Sequence, residues 1–139
     1  MRMRKKPNLD LRMEQCSKLL IQNPKEYRGR WLELKPDAQE VRLELGCGKG
    51  RFTAETARQN PQALYIAVER VPDAMIVAME RVRDLGLDNV YFIDGRSLYD
   101  GPDRDSCSVD GLHPNDLGFF RMAQTMEPVL RTALASTLK

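Results

Sequence analysis

Three glycines at alternate positions, Gly46, Gly48 and Gly50, follow a segment of alternating apolar residues and precede a helical pattern. Glycine adopts positive φ without a Cβ clash, so this spacing predicts a tight turn that another group can approach closely. The first N–H groups of the following helix lack internal partners and point toward whatever lies above the turn. A carboxylate, Glu69, ends the next predicted strand 23 residues after Gly46. This distance is typical of the acidic residue that contacts ribose hydroxyls in a nucleotide-binding β-α-β unit.

The glycine spacing also distinguishes between classes of nucleotide. A bare Gly-x-Gly-x-Gly run occurs in ordinary turns as well, and only together do the strand, the helix and the spaced acid favour the nucleotide interpretation. A dinucleotide site normally has Gly-x-Gly-x-x-Gly, in which the backbone cradles a pyrophosphate. The shorter spacing here favours S-adenosylmethionine, which carries an amino-acid moiety and a ribose but no pyrophosphate.

Strands and helices alternate around this turn. Three strands are predicted over residues 41–45, 64–69 and 89–94, with two helices between them over 51–60 and 72–85. Val41, Leu43 and Leu45 alternate with polar residues and are expected to form one buried face of the first strand. The second helix carries a stripe expected in the core, formed by Met75, Met79 and Val82. Right-handed crossovers make this series a parallel sheet, in which the first strand is expected to lie centrally or to pair directly with the second. The glycine turn and Glu69 then face each other across an open crevice at the carboxyl edge.

Two further helices are predicted toward the ends of the chain. The first covers residues 9–21, with Met13, Cys16 and Leu20 at helical spacing. The second begins after Asn115, a suitable cap, and Pro128 predicts a kink or a break into two shorter helices. Its apolar side is expected to bury Leu117, Phe120, Ala123 and Leu130. Residues 96–109 show no strand or helix pattern and are expected to form an exposed, poorly packed loop.

Composition limits the class of protein. A chain of 139 residues is one domain at most, and its hydrophobic share of 42% includes no apolar run long enough to span a membrane. The basic N-terminus lacks the apolar segment of a secretory signal. Three cysteines without metal-ligand spacing, and a single histidine, favour reduced thiols in a cytoplasmic protein without a metal site. Nothing in the composition indicates the oligomeric state.

Basic residues are concentrated near the N-terminus, although the net charge is only +2. The first twelve residues contain Arg2, Arg4, Lys5, Lys6 and Arg12. Such a run is either a solvated terminus or an arm that contacts nucleic-acid phosphates, and charge alone favours the solvated terminus.

Residues 1 to about 93 resemble the tRNA (guanine-N7)-methyltransferase family. Four motifs carry the resemblance in order, RMRKKP at 2–7, PKEYRGRW at 24–31, LELGCGKG at 43–50 and YIAVERVPD at 65–73. The resemblance implies that Glu44, Gly46 and Gly48 frame the methionine end of S-adenosylmethionine and that Glu69 holds its ribose. It also implies that the basic N-terminus binds tRNA through Arg2, Arg4, Lys5 and Lys6, which reverses the interpretation from charge alone.

The resemblance to this family is incomplete. Arg96 and Ser97 stand where the family has an Asp-Ala pair near the adenine. The family's Asp-Pro-Trp-Pro-Lys-type loop at the target guanine is missing, as are its remaining strands. N7 of guanine is already nucleophilic, so methyl transfer depends on positioning and desolvation more than on a strong base. The chain is therefore expected to be weakly active or inactive as a methyltransferase.

Residues from about 95 to 139 resemble a different family, the SGNH (GDSL-type) hydrolases, through CSVDGLHPNDLGFFRMA at 107–123. That resemblance implies that Asp110 orients His113 as a general base. The family's Gly-Asp-Ser nucleophile block and its oxyanion-hole blocks are absent. Cys47, which follows the first strand, is the one candidate nucleophile, and a spacer role in the glycine turn is the favoured alternative.

The two resemblances together predict an α/β fold made of two joined partial domains. We expect a truncated Rossmann-like parallel sheet of about three strands flanked by helices, followed by a helix from a second α/β family. Residues 1–40 form the basic arm and its helix, 41–94 the cofactor-binding half, and 95–139 a hydrolase-like segment packed on it. The favoured function is an incomplete tRNA (guanine-N7)-methyltransferase. The alternatives are an esterase or carbohydrate deacetylase fragment, or a nucleic-acid-binding module without catalysis.

Overall fold

The computed structural model describes residues 4–98, 101, 103–110 and 113–137. The chain divides into two compact units, Met1–Gly95 and Arg96–Lys139. The first contains a sheet with its helices, and the second contains a long helix with the turns that precede it.

The first unit is built on a three-stranded parallel sheet. Its strands are β1 (Glu40–Leu45), β2 (Ala63–Glu69) and β3 (Val90–Asp94), in the order β1-β2-β3. Leu43 of β1 is in register with Ile66 of β2. Helix α2 (Arg51–Gln59) connects the first two strands, and α3 (Pro72–Asp84) connects the second and third. The predicted series of elements, the parallel direction and the pairing of the first strand with the second are confirmed.

The N-terminal helix, α1 (Leu9–Gln15), is shorter than the predicted 9–21. Short 3₁₀ turns follow it at Ser17–Leu19, Pro24–Tyr27 and Trp31–Leu34. The helix ends early because the chain extends along the sheet instead. Leu20 forms a parallel bridge with Phe92, and the Ile21 N–H donates to the Phe92 carbonyl at 2.9 Å.

Apolar side chains cover both faces of the sheet around β2, and every residue of that strand is buried. On one face, side chains from α1, α2 and α3 pack against the strands, among them Met13, Ala54, Ala57, Met75, Met79 and Val82. This confirms the predicted core stripe of α3. The smaller cluster on the other face includes Ile21, Ala38, Leu64 and Ile66, with Tyr27 stacked on Trp31 at 5.7 Å between ring centroids.

The prediction that the apolar side chains of β1 form a buried face was wrong. Val41, Leu43 and Leu45 are 41%, 55% and 44% exposed. Within the described residues β1 is an edge strand, and the smaller apolar cluster is centred on β2 and β3 rather than on β1. The alternation in the sequence correctly indicates a strand, but burial depends on which element covers it.

The second unit is organised by α4 (Asp116–Thr137). Asn115 caps this helix as predicted, because its side-chain oxygen accepts the Gly118 N–H at 3.0 Å. The Asn115 side-chain amide donates to the Ser106 carbonyl, and its N–H donates to the Cys107 carbonyl. These bonds fold the preceding segment onto the start of the helix. Cys107 is fully buried, and a 3₁₀ turn covers Arg104–Ser106, so the expected loop over 96–109 is partly structured.

Of the kink or break predicted at Pro128, the break does not occur, because the helix runs through Pro128 without ending. The side-chain hydroxyls of Thr125 and Thr132 each donate to the carbonyl four residues earlier. The expected burial of the apolar side of α4 was wrong. Phe120 and Leu130 are 56% and 45% exposed, Ala123 is exposed, and Leu117 is half-buried. Helical spacing therefore predicted the helix but not the burial of its apolar side.

Candidate functional site

The glycine turn lies at the carboxyl end of β1, directly beside the end of β2. Gly46, Gly48 and Gly50 have φ values of 80°, 57° and 70°, a region that favours glycine. The N–H groups of Gly46 and Cys47 both donate to the Val68 carbonyl, at 2.8 and 3.1 Å. The turn is thus fixed to the neighbouring strand by its own backbone.

Glu69 ends β2 on the same edge and contacts the turn directly. Its Oε2 accepts the Gly48 N–H at 2.7 Å, and its Oε1 accepts the Val71 N–H at 2.9 Å. The residue is only 9% exposed, so its carboxylate is held in one orientation. The expected placement on one edge is confirmed. The expected open crevice between Glu69 and the turn is replaced by a hydrogen bond.

Glu44 lies on β1, two residues before the turn. Its Oε2 accepts a hydrogen bond from the Thr53 hydroxyl at 2.5 Å, and Thr53 is fully buried in the first turn of α2. The helix therefore holds a second carboxylate near the glycine turn. The sequence interpretation missed Thr53. The available signal was its position, because the third residue of a helix that follows a tight turn lies close to the strand before it.

The three glycines have different structural roles. A Cβ on Gly50 would lie 2.5 Å from the Ala78 Cβ, so this glycine lets α2 begin against α3. A Cβ on Gly46 or Gly48 would meet nothing within 4 Å. The space beside those two backbones is open to a ligand.

Cys47 points into the protein and is 8% exposed. Burial, with the nearby carboxylates of Glu69 and Glu44, raises the pKa of Cys47 to about 12. Because the thiolate is the nucleophilic form of cysteine, this thiol is inert at neutral pH. The environment supports the spacer role and weighs against a nucleophile.

Asp110 and His113 form an exposed pair before α4. The His113 ring Nδ1 lies 2.6 Å from Asp110 Oδ2, and the His113 N–H donates to Oδ1 at 2.8 Å. Their side chains are 49% and 70% exposed. The Ser108 hydroxyl donates to Asp110 rather than to the imidazole. Hydrogen bonding between loop neighbours is common without catalysis, so the hydrolase origin of residues 95–139 stays a prediction.

The basic N-terminal segment is attached to α3. The Lys6 N–H donates to Asp73 Oδ1 at 2.5 Å, and the Arg12 guanidinium binds Glu80 at 2.7 and 2.6 Å. The hydrogen bonds from Arg12 hold the pKa of Glu80 below its usual range. The charge of Arg12 is therefore paired with that of Glu80. Arg4 and Lys5 are exposed, and Lys6 is half-buried. Arg2 lies outside the described residues.

The part of the chain that the structure describes contains neither a metal-ligand cluster nor a membrane-spanning helix. No group of three or more His, Cys, Asp or Glu side chains there could hold a metal ion. None of the helices there is long and apolar enough to cross a membrane.

Comparisons with known proteins give matches over part of the chain. Residues 38–99 match a family model described as "Putative methyltransferase". A tRNA (guanine-N(7)-)-methyltransferase of Clostridium beijerinckii is 49% identical over 69 residues, which are 50% of this chain and 31% of that protein. One from Clostridium tetani is 39% identical over 93 residues, 67% of this chain and 44% of that protein. A solved structure titled "Structure of an antibiotic related Methyltransferase" has a TM-score of 0.43 and 20% identity, covering 55% of this chain and 40% of that one. The chain spans less than half the length of the two curated relatives. Residues 38–99 are therefore similar to a methyltransferase family, and the two curated relatives are tRNA (guanine-N(7)-)-methyltransferases that match part of this chain.

Proposed function

We propose that this chain is a cytoplasmic, partial tRNA (guanine-N7)-methyltransferase that binds S-adenosylmethionine at the carboxyl edge of β1 and β2. The observation that carries the proposal is the Glu69 carboxylate, fixed by the N–H groups of Gly48 and Val71 at the glycine turn. A buried, oriented carboxylate beside open glycine backbone suits a nucleoside better than it suits a purely structural turn.

The side chains at this edge fit the parts of S-adenosylmethionine. Each carboxylate oxygen of Glu69 has a second lone pair, which can accept a ribose hydroxyl. Gly46 and Gly48 leave room for the amino-acid moiety to lie against the backbone. Glu44, held by Thr53, provides negative charge for the ammonium group of that moiety.

The cofactor supplies an electrophilic methyl group on a sulfonium. N7 of guanine needs no deprotonation, so the protein's remaining task is to position the base and to exclude water. The relatives devote more than half of their length to residues that this chain does not match. We therefore expect cofactor binding with little or no turnover.

Calorimetry with S-adenosylhomocysteine tests the cofactor site. We expect the wild-type protein to bind, and Glu69→Ala to weaken binding at least tenfold, because a hydrogen bond to a charged group contributes about 1.5–3 kcal/mol. Glu69→Gln keeps the shape and removes the charge, so it should also weaken binding. Glu14→Ala removes an exposed carboxylate on α1 and is the matched control.

The outcomes of this titration are distinct. Absence of wild-type binding at millimolar ligand would mean that the site is not assembled. Equal binding by the wild type and by a folded Glu69→Ala variant would remove Glu69 from the site. Thermal melts of each variant separate lost binding from lost folding.

The proposal also assigns tRNA binding to the basic N-terminal segment, in which Arg4 and Lys5 are exposed. The double variant Arg4→Ala/Lys5→Ala should bind tRNA more weakly. Each lost phosphate contact should make the plot of log affinity against log salt shallower by about 0.7–0.9. Arg58→Ala, an exposed charge on α2, is the control and should leave that slope unchanged. Equal slopes for the double variant and the control would contradict this assignment.

A further inference from the structure

The outer edge of β1 is a free strand edge within the residues that the structure describes. Its apolar side chains, Val41, Leu43 and Leu45, are 41%, 55% and 44% exposed. The strand contains neither proline nor lysine, which commonly block such an edge. An open edge with an exposed apolar face is a template for pairing with another strand.

The hydrogen-bonding pattern shows which groups are available. The Gly46 N–H donates to Val68, and the Tyr65 N–H donates to Asn89 on the other side of β2. Main-chain groups alternate in direction along a strand. Those of Arg42 and Glu44 therefore point toward β2, and those of Val41, Leu43 and Leu45 point to the free edge. Any strand that pairs here must bond to these three residues.

The sequence of β1 is complementary to itself when reversed. With Leu43 opposite Leu43 of a second copy, Arg42 lies opposite Glu44, and Val41 lies opposite Leu45. Apolar side chains then meet on one face, and opposite charges meet on the other. Both arrangements stabilise antiparallel neighbours.

The adjacent registers are disfavoured by charge. Centring the pairing on Arg42 places two guanidinium groups opposite each other and Glu40 opposite Glu44. Centring it on Glu44 places two carboxylates opposite each other. Like charges directly opposite destabilise a strand pair, so charge selects the register centred on Leu43.

We propose that two copies of this chain associate through antiparallel pairing of their β1 edges about a two-fold axis at Leu43. The result is a continuous six-stranded sheet with a self-complementary interface. A second copy is favoured over an unrelated peptide because the apolar positions and the charges of β1 match its own reversed sequence.

Cysteine cross-linking tests the register directly. Oxidation of the Leu43→Cys chain should give a covalent dimer, because opposite residues in an antiparallel pair lie within disulfide distance. The Val41→Cys chain alone is the matched control and should not cross-link, whereas its mixture with the Leu45→Cys chain should. The wild-type cysteines, all free and buried, set the background. Equal cross-linking of Leu43→Cys and Val41→Cys alone would overturn the register.

Sedimentation over a range of concentrations tests the association itself. Leu43→Lys should be monomeric, because it places two ammonium groups opposite each other. Leu85→Lys changes another leucine, 50% exposed, and should leave the dimer intact. A monomeric wild type, or a dimer that persists in Leu43→Lys, would overturn the proposal.

Discussion

Replacing Gly50 by alanine is expected to lower the free energy of unfolding by about 2–5 kcal/mol, since it combines backbone strain with a steric clash. The φ of Gly50 is 70°, in the left-handed region, and an added Cβ would lie 2.5 Å from the Ala78 Cβ and 2.9 Å from its Cα. Backbone atoms of α3 cannot move aside as the end of a flexible side chain can. Urea denaturation measures the loss.

Two companion variants separate strain from clash. Gly48→Ala has a similar positive φ of 57° but meets nothing within 4 Å, so it should cost only about 1–2 kcal/mol. Gly50→Ala combined with Ala78→Gly removes the Cβ–Cβ clash, and it should recover part of the loss beyond the separate cost of glycine in a helix. If Gly48→Ala and Gly50→Ala cost the same, packing against α3 is not the reason for Gly50.

Asn89 should be the second most sensitive position tested. It is 2% exposed, and its side-chain amide donates to the carbonyls of Ala57, Asn60 and Ala63 at 3.0, 3.2 and 3.0 Å. One side chain thus ties the end of α2 to the start of β2. Asn89→Leu keeps the approximate volume but leaves these carbonyls without that donor. We expect a loss of about 2–5 kcal/mol in urea denaturation.

Asn89→Asp should lower the free energy of unfolding more than Asn89→Leu does, and the loss should depend on pH. An ionised carboxylate would face three carbonyl oxygens, so folding favours its protonated form and raises its pKa above the unfolded value. The variant should therefore lose stability as the pH rises above about 4, the ordinary value for aspartate. Asn23→Asp, an exposed substitution, is the control and should show no such loss. A stability gap between the two variants that does not grow with pH would contradict this account.

Elements governed by local pattern were predictable from the sequence. The strands, both crossover helices, the glycine turn and the position of Glu69 follow from spacing and from turn chemistry. Features that depend on which surfaces meet were not predictable. Val41, Leu43 and Leu45 have the alternation of a half-buried strand, yet no pattern says whether their face is covered. The Glu44–Thr53 and Asn89 contacts likewise exist only once α2 has folded back onto the sheet.

Helix α3 contacts both the glycine turn with Glu69 and the basic N-terminal segment. Ala78 receives the Gly50 backbone, and Glu80, two residues later, binds Arg12 of the N-terminal segment. At the start of the same helix, Asp73 accepts the Lys6 N–H, and the preceding Val71 donates to Glu69. We expect a polyanion that displaces Lys6 from Asp73 to shift the start of α3 and, with it, the Val71 N–H that fixes Glu69. By thermodynamic reciprocity, a nucleoside bound at the glycine turn would change the affinity for that polyanion by the same factor.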